Sequence, residues 1–447
     1  MSYVAPPDIQ LNLNVRGMPN SATMAINERS QILAMQGREI YRLGLGQSPF
    51  PVPEPIVQEL RDHAHQKDYL PVRGLERLRI EVANYHGRRH GIDRCGEDVL
   101  IGPGSKELMF LLQLTFYGDL VIPTPAWVSY APQARIIGHQ VHMVPTMAEN
   151  NWCLSPEDLE QLCTHDPGRP RVLILNYPSN PTGCSYSANE LEELARVARK
   201  HRIVLLSDEI YGELQYDGEH HSIAQYYPEG TIVSSGLSKW CGAGGWRLGT
   251  FLFPPSMRWL QDAMSSAASE TFTSTSAPIQ YAAVQAFCGS PYVENYLTRC
   301  RLILREIGKW SAKTLRSAGI QCIDPVGAFY LFPDFSIHRT ELATRGVKTS
   351  RDLCEQLLQE TGVATLPGID FGRDPEELSI RLAYVDFDGS NALQHAEKAL
   401  AEHEPIDETF VFSHCGRIVS AIHKVCSWAA TSDSHVASQF SQLSKEA

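Results

Sequence analysis

Short apolar runs alternate along much of this chain with stretches whose apolar residues recur every three or four positions. Residues 172–175 (Val-Leu-Ile-Leu) and 203–206 (Ile-Val-Leu-Leu) contain no polar member, which suits strands covered on both faces of a parallel sheet. Between them, residues 187–201 place Leu191, Leu194, Ala195 and Ala198 at helical spacing. The same alternation gives a strand at 98–101, a Gly-Pro-Gly turn and a helix over 105–116. Further strands follow at 120–122, 231–234 and 248–253. Strands alternating with amphipathic helices predict an α/β domain with a mostly parallel sheet flanked by helices. Near residues 285–320 the texture changes to one long, basic helical stretch, 296–319. Beyond it the pattern predicts a smaller α+β lobe, with strands at 328–332 and 378–384 and helices at 350–361, 391–403 and 418–429. The expected division is an N-terminal arm and small-lobe segment over 1–45, a large domain over 46–319, a small domain over 320–430, and a small, polar, disordered tail over 431–447.

Composition narrows the possibilities. The 447 residues are 43% hydrophobic and 20% charged, an ordinary globular mixture large enough for two or three domains. Lys and Arg total 39 against 51 Asp and Glu, a net charge of -12. That sign disfavours nucleic acid as a partner, although a local cluster of cations can still hold a small anion. The 11 cysteines follow neither a metal-ribbon nor a disulfide-framework spacing, so free thiols in a reducing compartment and no bound metal are expected. The first residues carry no apolar leader, and no apolar run approaches the roughly 18 residues needed to cross a bilayer. A cytoplasmic protein without membrane contact is the expectation.

Candidate chemistry gathers at the ends of three successive strands. Asn176-Tyr-Pro-Ser-Asn180-Pro-Thr-Gly183 follows the first, Asp208-Glu-Ile-Tyr211 the second, and Ser238-Lys239 with Arg247 lies in a Gly-rich turn after the third. Singly, each has an ordinary reading: a turn, a helix cap, a surface loop. Open α/β sheets, however, bind ligands beyond the carboxyl ends of their strands. Backbone amides, a hydroxyl and a guanidinium are what a phosphate monoester requires. A lysine held among cations and out of water has reason to lose its proton and act as a nucleophile.

Taken in order, Asn180-Pro-Thr-Gly183, Asp208-x-x-Tyr211, Ser238-Lys239, Arg247 and Arg381 resemble the pattern of the class I/II aminotransferases, which are pyridoxal 5'-phosphate (PLP) enzymes of fold type I. The likeness runs from about residue 20 to about 430. It implies that Lys239 binds the cofactor as an aldimine and moves a proton, and that Asp208 pairs with the pyridine nitrogen. Tyr211 and Asn180 are implied to bond the phenolic oxygen, and Trp127 to stack on the ring. Gly104, Ser105, Lys106, Ser238 and Arg247 are implied to hold the phosphate. The likeness also assigns Tyr69 to the phosphate of a neighbouring subunit, and therefore a homodimer. Gly46, Asn180 and Arg381 are assigned to the substrate carboxylate. One departure stands out: many relatives have Ser three residues before the lysine, where this chain has Gly236, with Ser235 displaced by one.

The resemblance favours a transaminase that moves an amino group between an L-amino acid and a 2-oxo acid. A PLP-dependent lyase or cyclase, such as a carbon–sulfur lyase or an aminocyclopropane-carboxylate synthase, would share the same residues. A regulator that binds PLP without turnover is disfavoured by the acidic charge. Thr23 and Lys106 match positions that in some relatives hold a distal carboxylate, so glutamate/2-oxoglutarate or aspartate is an expected pair.

Overall fold

The computed structural model describes residues 11–18 and 22–430, with side chains from residue 24 onward in the first helix. The side chain of Thr23 and the tail assigned to 431–447 lie outside the described residues.

The central sheet has seven strands. From one edge their order is Val99–Gly102, Gly249–Leu252, Thr231–Gly236, Val204–Asp208, Arg171–Asn176, Asp119–Thr124 and Val141–Pro145. All neighbours are parallel except Gly249–Leu252, which runs antiparallel to both strands beside it. The inner strands are buried on both faces because side chains alternate between two helical layers. Ile174, Leu206 and Ile232 pack with Leu108, Leu112 and Met264 on one side. Leu173, Leu175 and Leu205 pack with Leu191, Leu194 and Ala198 on the other. The helix Ala188–Lys200 starts where its sequence dictates. Ser187 Oγ accepts from the Glu190 amide while the Glu190 carboxylate accepts from the Ser187 amide, a reciprocal cap.

The strand Val141–Pro145 has no counterpart in the sequence reading. It lies at the sheet edge with half-exposed residues on both faces, so it lacks the continuous apolar run of the inner strands. The long helix is Pro291–Ser317, capped by Ser290 and begun by proline at its first position.

Beyond that helix, Leu366–Pro367, Ile380–Ala383 and Tyr330–Leu331 form a three-stranded antiparallel sheet. Ser350–Thr361 packs against Leu366–Pro367 and the long helix Pro291–Ser317 against Tyr330–Leu331, while Gly389–Ala401 and Gly416–Ala429 pack on that long helix. The N-terminal segment joins this lobe: Tyr41–Arg42 pairs in parallel with Val363–Ala364. The chain then crosses through Leu43–Gly46 to the large sheet, and that crossing is part of the site. Among the described residues, no helix is long and apolar enough to span a membrane.

Candidate active site

Register sets the floor of the site. Asn176 lies opposite Asp208, and Asp208 opposite Ser234, so three neighbouring strands deliver polar residues to one edge. Asn176 then ties two loops together. Its Nδ2 donates to the Asp208 carbonyl at 2.9 Å, and its Oδ1 accepts from the Asn180 amide at 2.8 Å.

Asp208 is 3% exposed. Burial pushes its carboxyl up to about 6, against hydrogen bonds from Tyr130 and the Ile210 amide. Tyr130 Oη donates to Oδ2 at 2.5 Å. Oδ1 makes no well-aligned hydrogen bond among the described residues, although the Ser234 hydroxyl is close enough to lower the carboxyl's proton affinity. A buried carboxylate oxygen without a donor is costly unless a ligand supplies one. A protonated ring nitrogen is such a donor.

Lys239 is half-buried. Its Nζ donates to the Gly46 carbonyl at 2.6 Å and lies 5.6 Å from the centre of the Tyr211 ring and 5.9 Å from that of Phe329. Burial, then the Arg381 charge, push its pKa down to about 8, with Asp208 opposing. Near neutral pH a minority of the amine, about a tenth at pH 7, is therefore neutral, far more than for an ordinary lysine and as a nucleophile or proton carrier needs.

Gly104 precedes the helix Ser105–Thr115 with φ 92, a backbone angle that favours glycine. A Cβ there would lie 2.2 Å from Arg247 Nη2, and one at Gly249 would lie 2.1 Å from the Ser105 amide nitrogen. The two glycines thus let a guanidinium and the free amides of a helix N-terminus converge, a cradle for a phosphate. Arg247 itself has φ 56 and is anchored through Nη1 to the Gly244 carbonyl at 2.9 Å. Lys106 extends over the Trp127 ring, 5.4 Å from its centre. Local desolvation, then Arg247, lower its pKa. Trp127 is half-buried and meets Tyr130 edge-on at 5.2 Å. Ser238 is half-buried in the same turn.

Arg381 is 2% exposed. Its Nη1 donates to Asn180 Oδ1 at 3.2 Å, and its Nη2 donates to the Gly44 carbonyl. Tyr330 and Phe371 cover the guanidinium, with ring centres at 4.9 and 5.2 Å. Its Nε has no hydrogen-bond partner among the described residues. With Oδ1 of Asn180 occupied by Arg381, the amide nitrogen is the end left to donate to a ligand.

The absence of Ser at 236 has a steric reason. A Cβ there would lie 2.6 Å from the Leu248 carbonyl oxygen of the neighbouring strand. Tyr69 meets none of these groups within one chain and is 88% exposed. The sequence placed Asn176 at a candidate strand end without a role of its own, and gave no role to Tyr130 or Tyr330. Tyr130 stands three residues after Trp127, a detectable aromatic pair. Tyr330 gave no local signal, because its partners come from distant segments.

A doubly covered α/β sheet with a buried carboxylate, a lysine and an anion cradle at its strand ends defines a PLP-dependent transferase of fold type I. The chain belongs to the class I and II aminotransferases, whose family model matches residues 38–395. It is 33% identical over 387 residues to an aspartate aminotransferase of Geobacillus stearothermophilus, covering 84% of this chain and 95% of that one. It is likewise 33% identical over 388 residues to an asparagine–oxo-acid transaminase of Streptococcus mutans, with the same coverage. Among solved structures, an aspartate aminotransferase of Thermus thermophilus with maleate superposes with a TM-score of 0.78 at 30% identity. The match covers 88% of this chain and all of that one. The protein is a PLP-dependent amino acid transaminase.

Proposed function

We propose that this transaminase acts on dicarboxylic substrates, with glutamate/2-oxoglutarate or aspartate as one amino donor and acceptor pair. The observation that carries the reading is a surplus of cations. Lys106, Arg247 and Arg381 have no carboxylate ion-pair partner among the described residues, and no carboxylate biases the pKa of Lys106 or Arg381. Arg381, which is buried, therefore awaits an anion, and the solvent-exposed Arg247 and Lys106 are free to take one. Arg247 with the Ser105 amide end suits a phosphate, and Arg381 suits an α-carboxylate. Lys106 remains for a third negative group, the distal carboxylate of the substrate. Similar proteins support the reading: one is an aspartate/prephenate aminotransferase of Thermus thermophilus, and the maleate of the Thermus structure is a dicarboxylate.

Bound PLP supplies a positively charged ring that takes up electrons from the substrate's Cα. The chain does the rest. Asp208 would hold the ring nitrogen's proton, with Tyr130 fixing its other oxygen. Tyr211 and the Asn180 amide would bind the phenolic oxygen, Trp127 would stack on the ring, and Gly104, Ser105, Ser238 and Arg247 would bind the phosphate. Arg381, backed by Asn180 and the Gly44 carbonyl, orients the α-carboxylate across from Gly46. Lys239 Nζ, held at the Gly46 carbonyl, would carry the proton to and from the substrate's Cα.

We further propose a homodimer located in the cytoplasm. Tyr69, exposed in one chain, would reach the partner's phosphate. All 11 cysteines are free, which suits a reducing compartment. The test of the substrate reading is a panel of amino donors with 2-oxoglutarate and pyruvate as acceptors, following oxo-acid and ammonia. Preference for acidic donors without ammonia release is expected. Equal rates on alanine and aspartate would overturn the substrate assignment.

A further inference from the structure

The hydroxyls of Tyr211 and Tyr330 lie 2.7 Å apart. Tyr330 is fully buried and Tyr211 nearly so, and neither hydroxyl makes another hydrogen bond to the described residues. Two protons therefore share one bond, and one proton is left to point elsewhere. Tyr330 is also locked from two other sides. Its ring lies 4.9 Å from the Arg381 guanidinium, and its hydroxyl fills the space that a Cβ on Gly46 would take, 2.0 Å away.

We propose that Tyr330 is a positioning residue whose hydroxyl donates to Tyr211 Oη, committing the Tyr211 proton to the ligand while its ring holds Arg381 in place. This rests on the reading that Tyr211 bonds the cofactor's phenolic oxygen. In the opposite arrangement Tyr211 would donate to Tyr330. The buried Tyr330 proton would then have no acceptor, and Tyr211 would turn a lone pair toward an electron-rich oxygen. A phenol that accepts a hydrogen bond is polarised into a stronger donor, so Tyr330 strengthens the contact it does not itself make.

The test uses the PLP-loaded protein with Tyr330→Phe, which keeps the ring and removes only the hydroxyl. A weaker donor leaves more negative charge on the phenolic oxygen, so the proton nearest it is held more tightly. The pH midpoint of the visible absorbance should rise by roughly 0.2–0.6 of a unit, the share expected for one cooperative hydrogen bond. Tyr211→Phe should shift it further in the same direction, and the double variant should match Tyr211→Phe alone. Incorporating 3-fluorotyrosine at position 330 makes a stronger donor and should move the midpoint the other way, which keeps the proposal testable if the phenylalanine variant folds poorly. Superimposable titrations of wild type and Tyr330→Phe, or full additivity in the double variant, would overturn it. A wild-type protein whose absorbance with PLP shows no titration at all would instead sink the reading of Tyr211 on which the inference rests.

Discussion

Lys239 Nζ donates a 2.6 Å hydrogen bond to the carbonyl oxygen of Gly46, so the central amine is held by the segment that joins the two lobes. The same glycine leaves room for the Tyr330 hydroxyl, which a Cβ would meet at 2.0 Å. Gly46→Ala is therefore expected to cost about 1–3 kcal/mol through overpacking and to raise KM for the amino acid as Tyr330 and Arg381 shift. Thermal unfolding and steady-state kinetics check this; an alanine variant with unchanged KM and unfolding midpoint would refute the close packing.

Removing the amine should separate binding from turnover. Lys239→Ala keeps the phosphate cradle and Asp208, so it should retain PLP. It should lose kcat by at least about 10²–10⁴, the usual contribution of a positioned acid–base group. Spectroscopic titration with PLP and single-turnover kinetics give the two readouts. Near-normal kcat would remove Lys239 from the chemistry.

Lys106 should govern side-chain choice. With Lys106→Ala, kcat/KM for aspartate or glutamate should fall by about 1–3 kcal/mol, the range for a lost hydrogen bond to a charged group. Neutral donors should change much less. An equal loss on alanine and aspartate would assign the lysine to the cofactor site.

Mixing two inactive variants tests the shared site. If Tyr69→Ala is severely impaired, hybrids with Lys239→Ala chains contain one site built entirely from intact parts, and activity should reappear on subunit exchange. A fully active monomer would contradict the assignment of Tyr69.

Acid should destabilise the fold in a definable window. His86 is 2% exposed, neither ring nitrogen has a hydrogen-bond partner among the described residues, and burial, then His90, push its pKa from 6.5 down to about 4. Below 6.5 the unfolded chain takes up a proton that the folded chain refuses until about 4. Stability therefore falls across that interval, by up to about 3 kcal/mol. Glu209 extends the trend to lower pH. Although burial opposes it, His220, whose Nε2 lies 3.0 Å from Glu209 Oε2, draws its carboxyl down to about 2. That contribution is complete above 4.5 and lost as pH falls through 2. Unfolding midpoints from pH 7 to 4.5 should drop less for His86→Leu than for wild type; parallel curves would exclude His86 as the cause.

Much of the site was legible because it sits where short-range patterns end. Asp208 closes an all-apolar run, Asn180 lies in a turn rich in proline and glycine, and Lys239 follows a strand into glycines. The helix Ser350–Thr361 was readable to the residue, since Thr349 and Asp352 form a reciprocal cap. What escaped was set by long-range packing. Tyr330 reaches Tyr211 from the small lobe, Tyr130 reaches Asp208 across the sheet end, and the edge strand Val141–Pro145 carries a mixed pattern. None of these contacts imposes a period on neighbouring residues.

The pairing of Tyr41–Arg42 with Val363–Ala364 has a consequence for the order in which the molecule can be completed during synthesis. The segment is made well before its partner strand and before the helix Gly416–Ala429, which packs beside both. The large sheet can close long before then. Until the strand Val363–Ala364 has been made, Tyr41, buried in the finished protein, lacks the strand it pairs with. The crossing that carries Gly44 and Gly46, and with it the carbonyl that holds Lys239, is thus tied to the lobe only after that later strand exists.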